Sequence, residues 1–155
     1  MIKKLIISVA ICELVGLLST PFTIASIPTW YQTLNKPSFS PPNWVFGPAW
    51  TILYFLMGVS LYLIWMKGLK NKKVKTGVKF FSIQLVLNFL WSIFFFGLHS
   101  PILGMIDIAL LWIAILITII KFYEISKPAS YILIPYLLWV SFASVLNLFI
   151  VILNK

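Results

Sequence analysis

Five long apolar runs constrain what this chain can fold into more than any other feature of its sequence. They cover residues 4–25, 45–66, 77–98, 101–124 and 130–153. A helix needs roughly 20 such residues to cross the hydrocarbon core of a bilayer, and none of the runs shows the alternation typical of a membrane β-strand. Because backbone polar groups in lipid must be satisfied within the protein, the runs predict an all-α integral membrane protein, a bundle of five transmembrane helices.

The composition agrees with a single transmembrane domain over residues 1–155. Hydrophobic residues make up 61% of the chain and charged residues 10%, whereas a soluble domain is about half apolar. The net charge of +9 could indicate a nucleic-acid partner. The chain has no arginine, however, and arginine is the side chain that most often reads bases. We therefore expect the lipid bilayer, and no nucleic acid, as a partner.

The lysines predict the orientation of the bundle. With five spans, the N-terminus and the connections 67–76 and 125–129 lie on one side of the membrane, and Pro128 is expected to break the helix in the second of these connections. The lysines on that side are Lys3, Lys4, Lys67, Lys70, Lys72, Lys73, Lys75, Lys79, Lys121 and Lys127. The positive-inside rule makes that side cytoplasmic. The loop 26–44 and the C-terminus, with Lys36 and Lys155, are then outside a bacterial cell membrane.

The first run also has features of a secretory signal peptide. Thr23 and Ala25 could form a cleavage site. The run is longer than a typical signal core and Glu13 interrupts it, which favours a retained first span. Within this span, Gly16 and Thr20 form a small-xxx-small pair that could bring two helices together.

Polar and aromatic side chains inside the spans predict an aromatic cavity in the outer half of the bundle. Three spans carry stripes at helical spacing: Trp50, Tyr54, Met57 and Leu61 on the second, Gln84, Asn88, Trp91 and Phe95 on the third, and Tyr136, Trp139, Ala143 and Asn147 on the fifth. Asp107 lies at a similar depth, whereas Glu13 and Gln84 lie deeper. Helix–helix packing explains any one of these residues, but the whole set fits an aromatic-lined pocket with few polar groups. Trp44 and Trp65 are interpreted as anchors at the membrane interfaces.

The sequence gives little support for a metal site or for nucleophilic catalysis. One histidine and one cysteine cannot form a structural zinc site. His99 could ligate a haem iron, but a solvated histidine in the turn between two spans is the simpler interpretation. We predict no metal site and no required cofactor.

The proline-rich first loop carries a resemblance to a known family. Trp30-Tyr31, Leu34, Lys36-Pro37, Pro41-Pro42, Phe46, Pro48 and Trp50 resemble the signature of the translocator protein family (TspO/MBR), also called tryptophan-rich sensory proteins or peripheral-type benzodiazepine receptors. The likeness continues through the third, fourth and fifth spans and covers nearly the whole chain. It implies a five-helix bundle, often a homodimer, with a pocket under the 26–44 loop that binds porphyrins such as protoporphyrin IX and isoquinoline-type drug ligands.

The resemblance also implies roles for individual residues. Trp50 and Trp139 would be the catalytic tryptophans of a light- and oxygen-dependent porphyrin degradation. The residues that would bind the ligand or shape the pocket, besides these two, are Tyr31, Pro41, Pro42, Phe46, Asn88, Trp91, Asp107, Ala143 and Asn147. Leu148 and Ile152 stand where the animal cholesterol motif has a tyrosine and a basic residue, so cholesterol recognition is not expected. Glu13 has no counterpart in the family pattern.

Three functional hypotheses follow from these observations. The first is a porphyrin receptor, with protoporphyrin IX as ligand or substrate, in which Lys36 and water accept the carboxylates of the ligand. The second is a tetrapyrrole or stress sensor without chemistry, whose mobile element is the 26–44 loop. The third is a transporter of tetrapyrroles or other lipophiles, which is the weakest because no inverted repeat is visible. In each, the prolines of the loop make a stiff lid, because proline fixes φ and needs no partner for an N–H.

Overall fold

The computed structural model describes residues 1–155 and contains helices and no strands. The helices are α1 (Ile2–Ser26), α2 (Phe46–Trp65), α3 (Lys72–Ser92), α4 (Pro101–Tyr123), α5 (Lys127–Ile132) and α6 (Ile134–Leu153). Five helical segments are long and apolar enough to cross a membrane, the last of them formed by α5 and α6 together. The predicted fold class, an all-α bundle of five membrane spans, is confirmed.

Two helix boundaries differ from those predicted. α3 begins at Lys72 instead of residue 77, because the side chain of Asn71 accepts a hydrogen bond from the backbone N–H of Lys73 at 2.9 Å and so caps the helix. The chain does leave the helix between Tyr123 and Lys127, but Pro128 itself lies in the first turn of α5, where a missing N–H costs nothing. A second interruption, which the sequence did not predict, falls at Leu133, just before Pro135.

A wide turn ends the third span. Residues Ile93–Gly97 form one π-helical turn after α3, in which the N–H of Leu98 bonds to the carbonyl of Ile93 at 2.7 Å. Such turns are often found at functional sites. The turn directs Phe95 and Phe96 into the bundle, where both rings are buried.

We call the end of the bundle with the N-terminus and the α2–α3 connection the lysine end, and the end with the α1–α2 connection the loop end. Near the lysine end, α1 and α2 approach so closely that a Cβ on Gly58 would lie 2.4 Å from Cα of Val9. Phe81 and Phe122 stack there at 5.8 Å between ring centroids. Small residues at the contact thus allow a tightly packed core at this end.

The proline-rich loop is fixed to the C-terminal end of α6, at the loop end of the bundle. The backbone N–H of Asn35 donates to Oδ1 of Asn154 at 2.9 Å, and Nδ2 of Asn154 donates back to the carbonyl of Asn35 at 2.8 Å. Phe39 packs edge-on against Phe142 and Phe149. Residues 27–45 therefore run across the loop end as an anchored segment.

Candidate functional site

A cavity of about 480 Å³ opens at the loop end of the bundle. Its walls come from α1, α2, α3 with its π-helical turn, and α6, and the loop contributes Ile27, Tyr31, Asn43 and Trp44. Volumes of this size are typical of small-molecule sites. The lining is mostly hydrophobic and aromatic, so the cavity suits a lipophilic guest.

Most of the residues proposed from the sequence as binding residues lie around this cavity. Eight of them line it: Tyr31, Phe46, Trp50, Asn88, Trp91, Trp139, Ala143 and Asn147. Each of the three stripes predicted on the second, third and fifth spans therefore contributes residues to one space, although Met57, Leu61, Gln84 and Tyr136 do not line it. Their role in ligand binding stays a prediction.

Three of the proposed residues do not line the cavity. Pro41 and Pro42 lie in the loop immediately before Asn43 and Trp44, which do line it. Asp107 is buried on α4, a helix that contributes no wall, and its Oδ2 has no hydrogen-bond partner. Asp107 stays outside the cavity because α4 packs closely behind its wall. A Cβ on Gly104 of α4 would lie only 3.0 Å from side-chain atoms of Asn147 and Phe95.

Aromatic rings pack edge-on or stacked around the space. The rings of Trp50 and Trp139 are 6.4 Å apart with an interplanar angle of 87°, and Phe46 meets Trp139 edge-on at 6.2 Å. Trp91 stacks on Phe95 at 4.9 Å. These arrangements are the favoured ones for aromatic pairs, and they give the cavity flat walls.

A buried hydrogen-bond chain forms the inner floor. The hydroxyl of Tyr54 donates to Oδ1 of Asn88 at 2.6 Å, and Nδ2 of Asn88 donates to the hydroxyl of Tyr136 at 2.6 Å. The hydroxyl of Tyr136 in turn donates to Oε1 of Gln84 at 2.7 Å. Because each member satisfies its neighbour, the chain fixes the side chains of three helices in one arrangement.

A second amide holds the α6 wall. Nε1 of Trp91 donates to Oδ1 of Asn147 at 3.2 Å, and Nδ2 of Asn147 donates to the carbonyl of Pro101 at 2.8 Å. Nε1 of Trp139, by contrast, is buried and has no partner within the protein. Trp139 therefore has a buried indole N–H donor that is uncommitted.

Lys36 does not lie at the cavity. Its Nζ donates to the carbonyls of Tyr31 and Leu34 at 2.9 and 3.3 Å and lies 4.6 Å from the centre of the Tyr31 ring. The proposed contact of Lys36 with ligand carboxylates is therefore not preformed. Tyr31 itself is buried against Phe95 and Phe96, and this burial raises the pKa of its hydroxyl above the usual value.

Sequence reasoning missed the contribution of the first span. The side of α1 that faces the cavity carries Glu13, Gly16, Thr20 and Thr23. Because these residues are spaced three and four positions apart, they form a stripe on one face of the helix. The same spacing rule that identified the stripes on the other spans could have identified this one. Gly16, proposed as half of a helix-pairing motif, lies against the ring of Tyr54 in the same chain, 2.7 Å from where its Cβ would be. Trp44, proposed as an interface anchor, lines the cavity while remaining 74% exposed.

The residues that could ligate a metal are dispersed, with no group of three or more His, Cys, Asp or Glu side chains. His99 stacks on Trp30 at 4.7 Å and has Nε2 3.3 Å from Oγ of Ser26. The histidine is thus part of the contact between the α3–α4 turn and the end of α1.

The five spans and the loop-end cavity define an integral membrane protein with an internal, mostly apolar cavity. The model of the TspO/MBR family matches residues 8–153, and the chain belongs to this family of membrane receptors and sensors. The chain is 48% identical to the tryptophan-rich protein TspO of Chlorobaculum tepidum over 99% of its own length and 97% of the relative. It is 50% identical to the protein of the same name from Archaeoglobus fulgidus, over 99% and 98%. With the human translocator protein it shares 38% identity, over 76% and 70% of the two chains.

Proposed function

We propose that this protein is a membrane receptor that binds porphyrins such as protoporphyrin IX, and isoquinoline-type ligands, in the loop-end cavity. The observation that carries the proposal is the apolar cavity of about 480 Å³ with aromatic walls from several helices. A porphyrin is flat and largely apolar, so it would gain both apolar burial and ring contacts there. Membership of the TspO/MBR family supports the receptor role in general terms.

The polarity of the cavity suggests how such a ligand would lie. At the floor, the hydroxyl of Tyr54 already donates to Asn88, so little hydrogen-bonding capacity is left for a carboxylate. At the loop end, Asn43 lines the cavity and is exposed. We expect the macrocycle to enter first and the two propionates to remain at the loop end, in contact with water.

Porphyrin titration of two matched tryptophan variants tests the proposal. Trp50 lines the cavity near the start of α2, and Trp65 ends the same helix outside it. Protoporphyrin IX would be titrated against protein in lipid nanodiscs, and binding read from its absorbance after subtraction of empty nanodiscs. We expect Trp50→Leu to weaken binding about tenfold, since aromatic contact and apolar area are both lost, and Trp65→Leu to leave it unchanged. Equal affinities for the two variants would exclude the cavity as the porphyrin site.

A second function, degradation of the bound porphyrin by light and oxygen, is favoured by the contact of Trp50 with Trp139. An indole next to an excited porphyrin could act as an electron donor, and the edge-on pair at 6.4 Å gives two indoles in one place. Porphyrin products would be followed under illumination in air for the wild type and for Trp50→Phe with Trp139→Phe, with dark and anaerobic samples as controls. We expect the double variant to lose most of the turnover. Equal turnover would leave binding without chemistry.

The orientation and the oligomeric state stay predictions. We expect the lysine end in the cytoplasm, the loop end and the C-terminus outside, and a bacterial cell membrane as the location. A homodimer is expected from the family resemblance. Labelling of a cysteine at position 155 (Lys155→Cys, with Cys12→Ser) by a membrane-impermeant reagent on intact cells tests the orientation, and labelling only after lysis would reverse it.

A further inference from the structure

The cavity contains one charged side chain, and that side chain is acidic. Glu13 lines the cavity from α1, and none of the other lining residues is a lysine, histidine or aspartate. From this arrangement we propose that the inner end of the cavity is a cation subsite, in which Glu13 and the nearby aromatic rings bind the ammonium group of a lipophilic amine. This subsite goes beyond the porphyrin proposal and does not require it.

The packing of α1 on α2 locates Glu13 at the inner end of the space. One turn before it, Val9 lies against Gly58, where a Cβ would meet the backbone of Val9 at 2.4 Å. One turn after it, Gly16 lies against the ring of Tyr54. The carboxyl group of Glu13 is thus on the stretch of α1 where the closed helix contact gives way to the cavity.

Glu13 has no partner of opposite charge in the protein. The only ion pair joins Lys121 to Glu124 at the lysine end. Two lysines near the ends of α1 contact aromatic rings instead: Lys4 lies over the ring of Trp65, and Lys36 lies over the ring of Tyr31. The hydroxyls that follow Glu13 on α1, those of Ser19 and Thr20, donate to the carbonyl of Gly16 instead.

An unpaired carboxyl group within a membrane span is costly, and such residues usually mark a ligand or ion site. A ligand that brings its own positive charge and N–H donors offsets that cost. An anionic group at the same place would add repulsion. The inner end of the cavity therefore favours cations, even though the loop end can leave an anionic group in water.

The aromatic floor supplies the second half of an amine site. The rings of Trp50 and Tyr54 are 5.7 Å apart and both line the cavity. Because the hydroxyl of Tyr54 is committed to Asn88, this residue contributes ring surface to the cavity lining rather than a free polar group. Ammonium groups bind to the faces of tryptophan and tyrosine, so the rings and the carboxylate of Glu13 together fit a cationic head.

The route to the subsite indicates that the amine is lipophilic. Leu17 and Ile24 line the cavity and are 67% and 65% exposed on the surface of α1. This surface belongs to a helix that is long and apolar enough to cross the bilayer. The cavity thus borders the hydrocarbon, and a molecule dissolved in the membrane can reach it. The expected ligand class is an aromatic or aliphatic amine with a large apolar body.

Three pyrene probes of nearly equal size and different charge test the proposal. They are 1-pyrenemethylammonium, 1-pyrenemethanol and 1-pyrenecarboxylate. Each is titrated against protein in nanodiscs of zwitterionic lipid, with binding read as energy transfer from tryptophan to pyrene and empty nanodiscs subtracted. The wild type should bind the ammonium at least about tenfold more tightly than the alcohol, the size expected of one charge-assisted hydrogen bond, and the carboxylate most weakly.

Variants assign this preference to Glu13. Glu13→Gln should reduce the preference for the ammonium to less than about twofold while still binding the alcohol, which shows that the cavity is folded. Glu13→Asp should restore part of the preference, and Glu124→Gln, an acidic residue outside the cavity, should keep all of it. The proposal is overturned if the wild type has no preference or binds none of the probes, or if Glu13→Gln retains the preference. Protoporphyrin IX binding by Glu13→Gln is measured in parallel, so that loss of the amine site and failure of the porphyrin proposal are seen separately.

Discussion

The lysine end and the loop end of the bundle contain similar apolar side chains but fill space differently. At the lysine end, Met57, Ile64, Val74 and Phe122 are fully buried. At the loop end, tryptophans and phenylalanines stand edge to face around about 480 Å³ of space. The difference lies in the helix contacts, because small residues let the helices close at one end, whereas large rings hold them apart at the other.

The hydrogen-bond chain from Tyr54 to Gln84 lies between these two regions. Its members are buried, and each hydroxyl or amide is satisfied by a partner on another helix. Such a chain has one favourable arrangement, so it can keep the floor of the cavity in place while the cavity above it is empty or filled. The comparison predicts that stability depends on the lysine end and ligand affinity on the loop end.

Two glycines of α2 give the largest expected contrast. A Cβ on Gly58 would lie 2.4 Å from the backbone of Val9, whereas a Cβ on Gly47 would meet nothing within 4 Å. We expect Gly58→Ala to lower the free energy of unfolding by about 3 kcal/mol, because the backbone of α1 must move, and Gly47→Ala to change it by less than about 1 kcal/mol. Denaturant unfolding in detergent measures both. Similar losses in the two variants would contradict the idea that the ends differ in packing.

The same substitution at two alanines separates stability from binding. Ala129 is fully buried at the lysine end and accepts a hydrogen bond from Ser60 through its carbonyl. Ala143 lines the cavity. We expect Ala129→Phe to cost about 2 kcal/mol through overpacking. Ala143→Phe should change stability by less than about 1 kcal/mol, since the ring enters open space, but weaken protoporphyrin IX binding at least tenfold.

Denaturant unfolding measures the stability of both variants, and titration with protoporphyrin IX measures their affinity. If Ala143→Phe is as unstable as Ala129→Phe, the loop end is packed like a core. If it is stable and binds porphyrin normally, the ligand lies elsewhere.

The sequence predicts the spans well, because their length and apolarity are local properties. Helical spacing also puts Asn88 and Tyr136 on the polar and aromatic stripes of their spans, and in the structure the two side chains are joined by a hydrogen bond. Local properties did not reveal that α3 begins at Lys72 or that α5 continues through Pro128, since a cap and a first-turn proline are decided by a few hydrogen bonds.

The site was harder to predict where it depends on which face each helix presents to the cavity after packing. The depth proposed for Asp107 does not decide whether it faces the cavity, because the packing of Gly104 against Phe95 and Asn147 puts α4 behind the wall. The wall formed by α1 depends likewise on the contact between Val9 and Gly58, which are 49 positions apart in the chain. Such long-range contacts leave no mark in the local pattern of either span.

The smallest expected effect concerns Tyr31, which tests whether the loop is packed as firmly as the lysine end. Burial raises the pKa of its hydroxyl above 10.0, so above about pH 10 the unfolded chain loses this proton first. The folded protein then binds more protons, and its stability falls as the pH rises, by at most about 1.4 kcal/mol per pH unit for one group. Tyr31→Phe should remove that part of the slope above about pH 10. Unfolding midpoints measured across this range decide the point, and an unchanged slope in Tyr31→Phe would mean that the loop opens to water in the folded protein and is not a fixed cover of the cavity.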